Sequence, residues 1–362
     1  MRGARRIAIL AVVTAVVMLA GLVAPSAASA SGSIKVLLSG LNSPKALTLA
    51  GPNGLVVGQG AFGAPGPVLE YNRKTRQATP LTPPVNVVDL ITTDDGGAWA
   101  LAEGGDLIRH SPEGTDTVVV NIPEYQETDP DPYDQEDAPT ESNPYGLAAL
   151  PNGDALVADA AGNDLLRVTQ GGDVTTVARF DVEAVSTDHV PAEFGPLPPT
   201  IDAEAVPTAV TLGPNGWVYV GQLKGFPFKP GTSRVWAVNP DADGALCSAE
   251  TPDPDCKIAY EGFTAIQDIY FLRQTATLYV YELARDGVLA FEAGFESGDF
   301  PPAVLLEVKK NKTTELAKGK LSEPGGIVAL NRGEVFVTDG MFACSGPEGA
   351  PPCEGRLVEV HR

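Results

Sequence analysis

Short apolar segments separated by turns recur six times along the chain. In each copy an apolar segment runs into a turn, usually one containing glycine, and a second apolar segment follows. The six first segments with their turns are SPKALTLAGPNG (43–54), NVVDLITTDDGG (86–97), NPYGLAALPNGD (143–154), VPTAVTLGPNGW (206–217), IQDIYFLRQTAT (266–277) and EPGGIVALNRGE (323–334). Taking the second residue of each as the anchor gives intervals of 43, 57, 63, 60 and 57 residues. Such self-similarity predicts a repeat architecture with one supersecondary unit per copy.

Each repeat is predicted to contain up to four strands. The later segments are rich in Val, Tyr, Trp and Phe, which suit a pleated surface, and the Pro-Asn-Gly and Asp-Asp-Gly-Gly turns supply the positive φ of tight hairpins. Second strands are predicted to begin at Leu55, Ala98, Ala155, Trp217, Thr277 and Val335. Third strands are predicted to begin at Pro67, Asp106, Asp164, Ser233, Gly287 and Gly355. Fourth strands are predicted near Gln77, Asp116, Asp173, Cys256 and Pro302.

The two ends of the repeated region complement each other. The sixth copy ends at Arg362 without a fourth strand, and the segment SIKVLLSG (33–40) is a strand with no repeat of its own. A ring closed by pairing the first strand with the last blade would protect the edges that an open sheet exposes. The pattern therefore predicts an all-β, six-bladed β-propeller closed by its N-terminal strand. A seven-bladed ring and an array of β-sandwiches are the alternatives.

The first thirty residues are predicted to be a secretory signal. Three arginines precede an apolar run over 7–24, and Ala28-Ser29-Ala30 fits a small-residue cleavage site. An uncleaved membrane anchor is the alternative, since 18 apolar residues could just span a bilayer. The signal interpretation assigns 1–30 to a removed segment and 31–362 to one propeller domain. It predicts a secreted protein with no stable membrane insertion after cleavage.

Composition narrows the range of partners. The 362-residue chain has 46 acidic and 25 basic residues, a net charge of −21, which removes the attraction that non-specific nucleic-acid binding needs. The same charge disfavours docking on anionic lipid. We expect a monomer that binds a small ligand, a glycan or a protein.

The four cysteines form two local pairs, each nine positions apart. Export would place them in an oxidising compartment, and the spacing favours the loops Cys247–Cys256 and Cys344–Cys353 among the three connectivities that four cysteines allow. A zinc site is the alternative, but neither pair has C-x-x-C spacing or a nearby histidine.

Two acidic segments are candidates for Ca²⁺ or another divalent cation. The first, EYQETDPDPYDQEDAPTES (124–142), links the second repeat to the third and carries eight carboxylates, although such runs also occur as solvated loops. The second is a calcium-loop pattern formed by Asn239, Asp241, Asp243 and Glu250, in which Asn stands at the first position and no helix pair flanks the loop. A turn between outer strands would also use Asp and Gly.

Two further features could contact a ligand. Phe226 and Phe228 lie in an apolar insertion, GFPFKPG (225–231), which suits either a rim that binds a partner or a loop packed on its own blade. The starts of first strands face the central channel of a propeller, which would bring Asn42, Asp89, Asn143, Asp268 and Glu323 near one axis. There they could hold a divalent ion that polarises a carbonyl, or they could bond only to backbone and water.

Standard catalytic motifs are not found in the sequence. His110, His189 and His361 have no G-x-S-x-G partner, and no P-loop or dinucleotide fingerprint precedes a helix. A ligand- or partner-binding propeller is therefore the first functional hypothesis, and a metal-assisted hydrolase or lactonase acting on a small oxygenated substrate is the second.

Two segments carry a resemblance to a known family. NPYGLAALPNGDALVADAAGNDLLRV (143–168) and VPTAVTLGPNGWVYVGQLKGFPFKPGTSRVWAV (206–238) resemble the ScyD/ScyE family of secreted bacterial proteins, named after members encoded with scytonemin biosynthesis. The resemblance implies a six-bladed propeller related to NHL-type repeats and gives no catalytic residues. More distantly, the plan is similar to the calcium-dependent gluconolactonase propellers. That similarity implies channel ligands of the types found at Glu323, Asn143 and Asp268, without the local motifs of that family.

Overall fold

Six blades, each with four antiparallel strands, surround a common axis. The computed structural model describes residues 32–310, 312–331, 333–342 and 355–362. The inner strand of each blade contacts the inner strands of both neighbouring blades, so the ring is complete. The predicted six-bladed β-propeller is confirmed.

The first half of the described chain contains one closing strand and three blades. The closing strand is β1 (Ile34–Leu41). Blade one consists of β2 (Leu47–Ala50), β3 (Gly54–Val57), β4 (Gly66–Asn72) and β5 (Gln77–Val85). Blade two consists of β6 (Val87–Thr92), β7 (Ala98–Ala102), β8 (Asp106–His110) and β9 (Asp116–Asn121), followed by the short helix α1 (Ile122–Gln126). Blade three consists of β10 (Pro144–Ala149), β11 (Ala155–Asp159), β12 (Asp164–Val168) and β13 (Val174–Phe180).

The second half begins with a hairpin of β14 (Glu183–Ser186) and β15 (Thr200–Ala203), and a 3-10 turn lies between its strands (Ala192–Phe194). Blade four consists of β16 (Pro207–Leu212), β17 (Val218–Gln222), β18 (Ser233–Val238) and, after the short strand β19 (Ala245–Cys247), β20 (Cys256–Phe263). Blade five consists of β21 (Ile266–Leu272), a 3-10 turn (Arg273–Thr275), β22 (Thr277–Glu282), helix α2 (Val288–Ser297), β23 (Val304–Lys309) and β24 (Lys312–Leu316). Blade six consists of β25 (Pro324–Ala329), β26 (Val335–Asp339) and β27 (Gly355–Val360).

Strand β1 supplies the fourth strand of blade six. It pairs antiparallel with β27, with Ile34 opposite Val360 and Leu41 opposite Gly355. The sheet order is β1-β27-β26-β25, so the outermost strand of the last blade comes from the start of the propeller. This pairing closes the ring and removes two open edges, as the sequence predicts.

Blade five differs from the sequence prediction. The segment from Gly287, predicted as its third strand, forms helix α2, and the predicted fourth strand near Pro302 is the third strand, β23. Val288 and Phe291 are three residues apart, so they lie on the same face of this helix, and both are buried. The first strand of this blade begins at Ile266, as predicted, with Ile266 opposite Glu282.

The core lies between neighbouring blades rather than within one of them. Trp236 of blade four packs with Phe180 of blade three, and their ring centroids are 6.2 Å apart. Near the axis the blades approach so closely that a side chain does not fit at Gly146, where a Cβ atom would lie 2.7 Å from the carbonyl oxygen of Thr208. Small residues at such inner positions let six sheets meet around one axis.

A second connection joins blades three and four at their outer edges. Strand β19 leaves blade four and pairs in parallel with β13 of blade three, with Arg179 opposite Leu246. A disulfide then joins Cys247 at the end of β19 to Cys256 at the start of β20. The predicted Cys247–Cys256 pairing is confirmed, and it ties β20 of blade four to the strand β19 that pairs with blade three.

Replacing Cys247 and Cys256 by alanine is expected to lower the free energy of unfolding by about 2–3 kcal/mol, because a short disulfide loop restricts the unfolded chain by that amount. Both cysteines are buried in the core between blades three and four, so the lost packing adds to the effect. Urea unfolding of the double variant under non-reducing conditions measures the change. An unchanged midpoint would contradict this role.

Two predictions fall on residues outside the described part of the chain. The secretory signal at 1–30 lies before it, and the Cys344–Cys353 pair lies within 343–354. Among the described residues, no helix is long and apolar enough to cross a membrane.

Candidate functional site

At one end of the ring, which we call the loop face, antiparallel pairing brings together the starts of the inner strands, the ends of the second strands and the starts of the third strands. The start of each inner strand pairs with the end of the second strand, as Pro144 does with Asp159, and the third strand begins there too. The loop face therefore combines the segments that lead into the inner strands with the loops between second and third strands. Loops at one end of a rigid scaffold are where propellers can vary their chemistry.

Asp89 and Asp268 come together near the axis, as the sequence predicts, and both bond to backbone. Each carboxylate accepts the N–H of the next residue at 2.8 Å with one oxygen. The other oxygen accepts an N–H of the following blade at 2.8 Å, from Leu147 for Asp89 and from Ile327 for Asp268. These bonds join blade two to blade three and blade five to blade six. All four carboxylate oxygens therefore have a protein donor.

A buried lysine accompanies these carboxylates. Lys45 donates from Nζ to the carbonyl oxygen of Tyr145 at 2.6 Å and lies 4.0 Å from the centroid of the Tyr145 ring. Burial lowers the pKa of Lys45, while the charges of Asp89 and Asp268 act in the opposite direction. Burial, together with the charge of Asp89, raises the pKa of Asp268 to about 7. The axis therefore holds one ammonium group that partly balances two carboxyl groups.

Further side chains fill the space around Tyr145. Gln267 donates to the Tyr145 hydroxyl at 2.6 Å and lies 3.7 Å from the sulfur of Met341. Gln267 is almost completely buried, and Tyr145 is 8% exposed. Side chains from blades one, three and five thus meet on the axis.

A polar residue at the end of the second strand fixes the loop face in at least four blades. Its side-chain oxygen accepts an N–H from the segment that leads into the inner strand of the same blade. The donor–acceptor pairs are Asn42 to Gln59 (2.8 Å), Asn143 to Asp159 (2.7 Å), Thr264 to Glu282 (2.8 Å) and Ser322 to Asp339 (2.8 Å). The backbones of two predicted channel residues, Asn42 and Asn143, are therefore held in place by this repeated bond.

A cavity of about 280 Å³ opens on the loop face between blades one, two and three. Its walls are mostly apolar, with a carboxylate, a hydroxyl and a carboxamide among them. The lining residues are Ala61, Phe62, Val88, Ala102, Glu103, Gly104, Gly105, Pro123, Ser142, Asn143, Pro144 and Tyr145. Gly105 allows one wall to form, because a Cβ atom there would lie 2.3 Å from Cδ of Pro123.

Aromatic rings extend from this cavity across the loop face. Phe62 is 40% exposed, and its ring centroid lies 6.3 Å from that of Tyr145 and 5.0 Å from that of Phe342. Phe342 in turn contacts Phe291 and Phe295 of helix α2, with centroids 5.3 and 5.6 Å away. Loops of blades one, five and six therefore form one aromatic surface beside the cavity.

The five predicted channel residues do not form one cluster. Asp89 and Asp268 lie on the axis, and Asn143 lines the cavity. Asn42 lies in its own loop, where its side chain donates to the carbonyl oxygen of Pro65 at 3.5 Å. Glu323 lies beside Asp339 on blade six, and burial raises the pKa of its carboxyl group.

The remaining predicted sites lie away from the cavity. Phe228 packs against a buried cluster that includes Val288 of helix α2, and the ring of Phe226 lies 6.1 Å from that of Phe194. In the calcium-loop pattern, Asn239 donates to Asp255 at 2.7 Å and Asp241 pairs with Arg167 at 3.0 Å. Asp243 and Glu250 are exposed. Cation binding by this pattern stays a prediction.

The acidic segment between blades two and three brings carboxylates together. Oxygen atoms of Asp134, Glu136 and Glu204 lie within 4.8 Å of one another, the one such acidic group of three within the described ranges. Glu204 is 7% exposed and accepts the N–H of Gln135 at 2.7 Å. Burial is the main cause that raises the pKa of Glu204 to about 7, and the neighbouring Glu136 raises it further.

Three of these residues were missed from the sequence. Lys45 is the one charged residue in an otherwise apolar segment at the start of a strand, and this position could have indicated a buried lysine. Glu204 lies outside the acidic segment it joins, and Phe62 lies in a loop without a repeat motif, so neither had a local signal.

Comparisons with known proteins support the fold. No family model and no curated protein matches the chain. A putative glucose dehydrogenase from Thermus thermophilus is 15% identical, with a TM-score of 0.54 over 91% of this chain and 99% of that one. The PQQ-bound aldose sugar dehydrogenase of Streptomyces coelicolor is 14% identical, with a TM-score of 0.51 over 92% and 99%. A putative gluconolactonase is 11% identical, with a TM-score of 0.50 over 92% and 93%. At these identities the likeness shows a shared propeller fold.

Proposed function

We propose that this protein is a secreted, monomeric binding propeller that takes a small ligand in the cavity beside the axis. The observation that carries the proposal is the cavity itself, in which the Phe62 and Tyr145 rings and two prolines surround a few polar groups. Apolar walls with a small number of placed polar groups are typical of small-molecule sites. The cavity of about 280 Å³ is at the small end of such sites and suits a compact ligand.

Hydrogen bonds hold the polar wall of the cavity in place. Ser142 donates to Asp159 at 2.5 Å, and the backbone of Asn143 donates to the same carboxylate. Asp159 is completely buried, so this segment is anchored to blade three before any ligand arrives. An anchored wall reduces the ordering cost of binding. The side chain of Asn143, which lines the cavity next to this anchored backbone, offers a ligand both a donor and an acceptor.

The residues present do not fit two groups that propeller relatives suggest. A divalent ion on the axis would compete with the Lys45 ammonium, and every oxygen of Asp89 and Asp268 already accepts an N–H. PQQ is a tricarboxylate, but the one charged residue lining the described cavity is Glu103. The binding hypothesis is therefore favoured over a metal-assisted hydrolase at the axis.

Binding of small aromatic probes tests the proposal. Saturation-transfer NMR is expected to detect indole and benzyl alcohol on the mature protein, and Phe62→Ala is expected to weaken both by about tenfold or more, because it removes an exposed wall of the cavity. Leu81→Ala on the outer strand β5 is the control, since Leu81 is also a strongly exposed apolar residue. Equal binding by all three proteins would overturn the proposal. Turnover of glucono-δ-lactone would favour the hydrolase instead.

We also propose that the acidic group of Asp134, Glu136 and Glu204 binds Ca²⁺. Carboxylate oxygens are the ligands this cation prefers, and the three side chains lie close enough to share one ion. The cation would balance the buried Glu204 carboxylate, to which the described chain supplies hydrogen bonds but no basic side chain.

Membership of the ScyD/ScyE family is likewise proposed. Its support is the resemblance of 143–168 and 206–238, which form the three inner strands of blades three and four with their connecting loops.

A further inference from the structure

We propose that the ligand of the cavity is a small organic cation, an amine or quaternary ammonium compound with a hydrocarbon part. This inference rests on the proposed binding function and names its ligand class. The proposed position for the positive charge is between the carboxylate of Glu103 and the ring of Phe62, which both line the cavity. Carboxylates and aromatic faces are the groups that recognise such cations.

The charge of the lining favours a cation. Glu103 is the one ionisable acid or base other than Tyr145 among the described lining residues, and no lysine or arginine is present to attract an anion. The net charge of −21 adds a field that concentrates cations around the protein. A neutral ligand would gain nothing from either feature.

Glu103 follows the second strand of blade two, and it differs from the polar residues at the ends of second strands in other blades. Asp159, Glu282 and Asp339 are buried and accept backbone N–H groups that hold their own loops. Glu103 is exposed at the cavity, and its carboxylate accepts a hydrogen bond from the side-chain amide of Asn86. Asn86 therefore orients the Glu103 carboxylate, while the rest of the carboxylate stays accessible from solvent. A group that binds an ion from solution needs both properties.

The two aromatic walls are not equivalent. One face of Tyr145 is already covered by the ammonium group of Lys45, 4.0 Å from the ring centroid, which weakens its attraction for a second cation. The Phe62 ring has no such neighbour among the described cation–ring contacts, and it is 40% exposed. The cation is therefore assigned to Phe62, and the hydrocarbon part to the walls formed by Pro123, Pro144 and Val88.

A pair of isosteric probes tests the charge directly. Choline and 3,3-dimethylbutan-1-ol have nearly the same shape, but only choline is charged. Calorimetric titration is expected to give about tenfold tighter binding for choline, with a preference that declines as NaCl is added. Glu103→Gln is expected to bring the two affinities together. Phe62→Leu, which keeps an apolar wall without an aromatic face, is expected to weaken choline more than the alcohol.

Glu113→Gln is the matched control. Glu113 is an exposed glutamate of the same blade, in the turn between β8 and β9, and its removal should leave the choline preference unchanged. Equal binding of choline and the alcohol to the unaltered protein, or an unchanged preference in Glu103→Gln, would overturn the cation assignment. Loss of the aromatic probes in Phe62→Ala would still support the cavity as a binding site in that case. Failure of all probes would overturn both proposals.

Discussion

Replacing Lys45 by methionine is expected to lower the free energy of unfolding at pH 8 by roughly 3 kcal/mol. Methionine keeps most of the length and apolar volume of lysine but removes the ammonium group, leaving Asp89 and Asp268 without their buried counter-charge. Removing one partner of a buried ion pair typically costs about 3–5 kcal/mol. The lower end applies because Lys45 acts on the two carboxylates electrostatically and forms no close ion pair with either.

The pH dependence of this loss identifies its cause. Burial raises the pKa of both Asp89 and Asp268, and without Lys45 the two pKa values should rise further. Folded molecules of the variant would then bind protons more readily than unfolded ones, so its deficit relative to the unaltered protein should shrink between pH 8 and pH 5. Urea unfolding at both values measures this change.

Lys74→Met is the control for the loss of one positive charge. Lys74 is exposed in the turn between β4 and β5, where a lysine contributes little to stability. A Lys45→Met deficit that is the same at pH 5 and pH 8 would show that lost packing, and not charge balance, explains the effect.

Repetition made the architecture predictable. One hairpin pattern copied six times gave strand positions in every blade, because each copy must bury the same faces against its neighbours. The polar residue at the end of the second strand also recurs in the sequence, as Gln59, Asp159, Glu282 and Asp339 show. Its role as a loop anchor needed coordinates, since the bond crosses from a side chain to a distant backbone N–H.

Departures from the repeat were not predictable in the same way. Helix α2 was mistaken for a strand because the segment after Gly287 is apolar and begins where a strand was due. The apolar spacing of Val288, Phe291 and Phe295 follows a helical period and was the signal against a strand. The pairing of β13 with β19 had no local signal, because it joins segments of two different repeats.

The candidate site was the hardest part to predict from the sequence, because its residues meet through contacts between different blades. Asp89 and Asp268 were predicted to approach the axis, but nothing near Lys45 in the sequence indicates that it meets carboxyl groups of blades two and five. The cavity likewise combines loops of blades one, two and three that are up to 84 residues apart, from Ala61 to Tyr145. Such sites depend on the ring as a whole.

Glu204→Gln is expected to stabilise the protein at pH 8 by on the order of 2 kcal/mol and to have little effect at pH 5. The pKa of Glu204 is about 7 in the folded protein, against 4.5 for an ordinary glutamate, so its burial favours the protonated form. Its contribution to stability is therefore fully present below pH 4.5 and is lost as the pH rises through 7. Glutamine imitates the protonated carboxyl and should remove much of this loss.

The acidic group of three can be neutralised by protons or by a bound cation, and adding calcium distinguishes the two. At pH 8 the carboxylates of Asp134, Glu136 and Glu204 are available to a cation, and millimolar CaCl₂ is expected to raise the free energy of unfolding of the unaltered protein by about 1–3 kcal/mol. At pH 5 protons compete for the same oxygens, so the gain should be smaller. Glu204→Gln should lose most of the calcium response, because it removes the buried ligand.

Glu127→Gln controls for a general effect of charge in the acidic segment, since Glu127 is exposed and lies outside the group of three. NaCl at matched ionic strength controls for screening. If calcium stabilises Glu204→Gln as strongly as the unaltered protein, the cation binds elsewhere. If calcium has no effect beyond that of NaCl, the calcium proposal is wrong, and the buried Glu204 carboxyl group is neutralised by a proton instead.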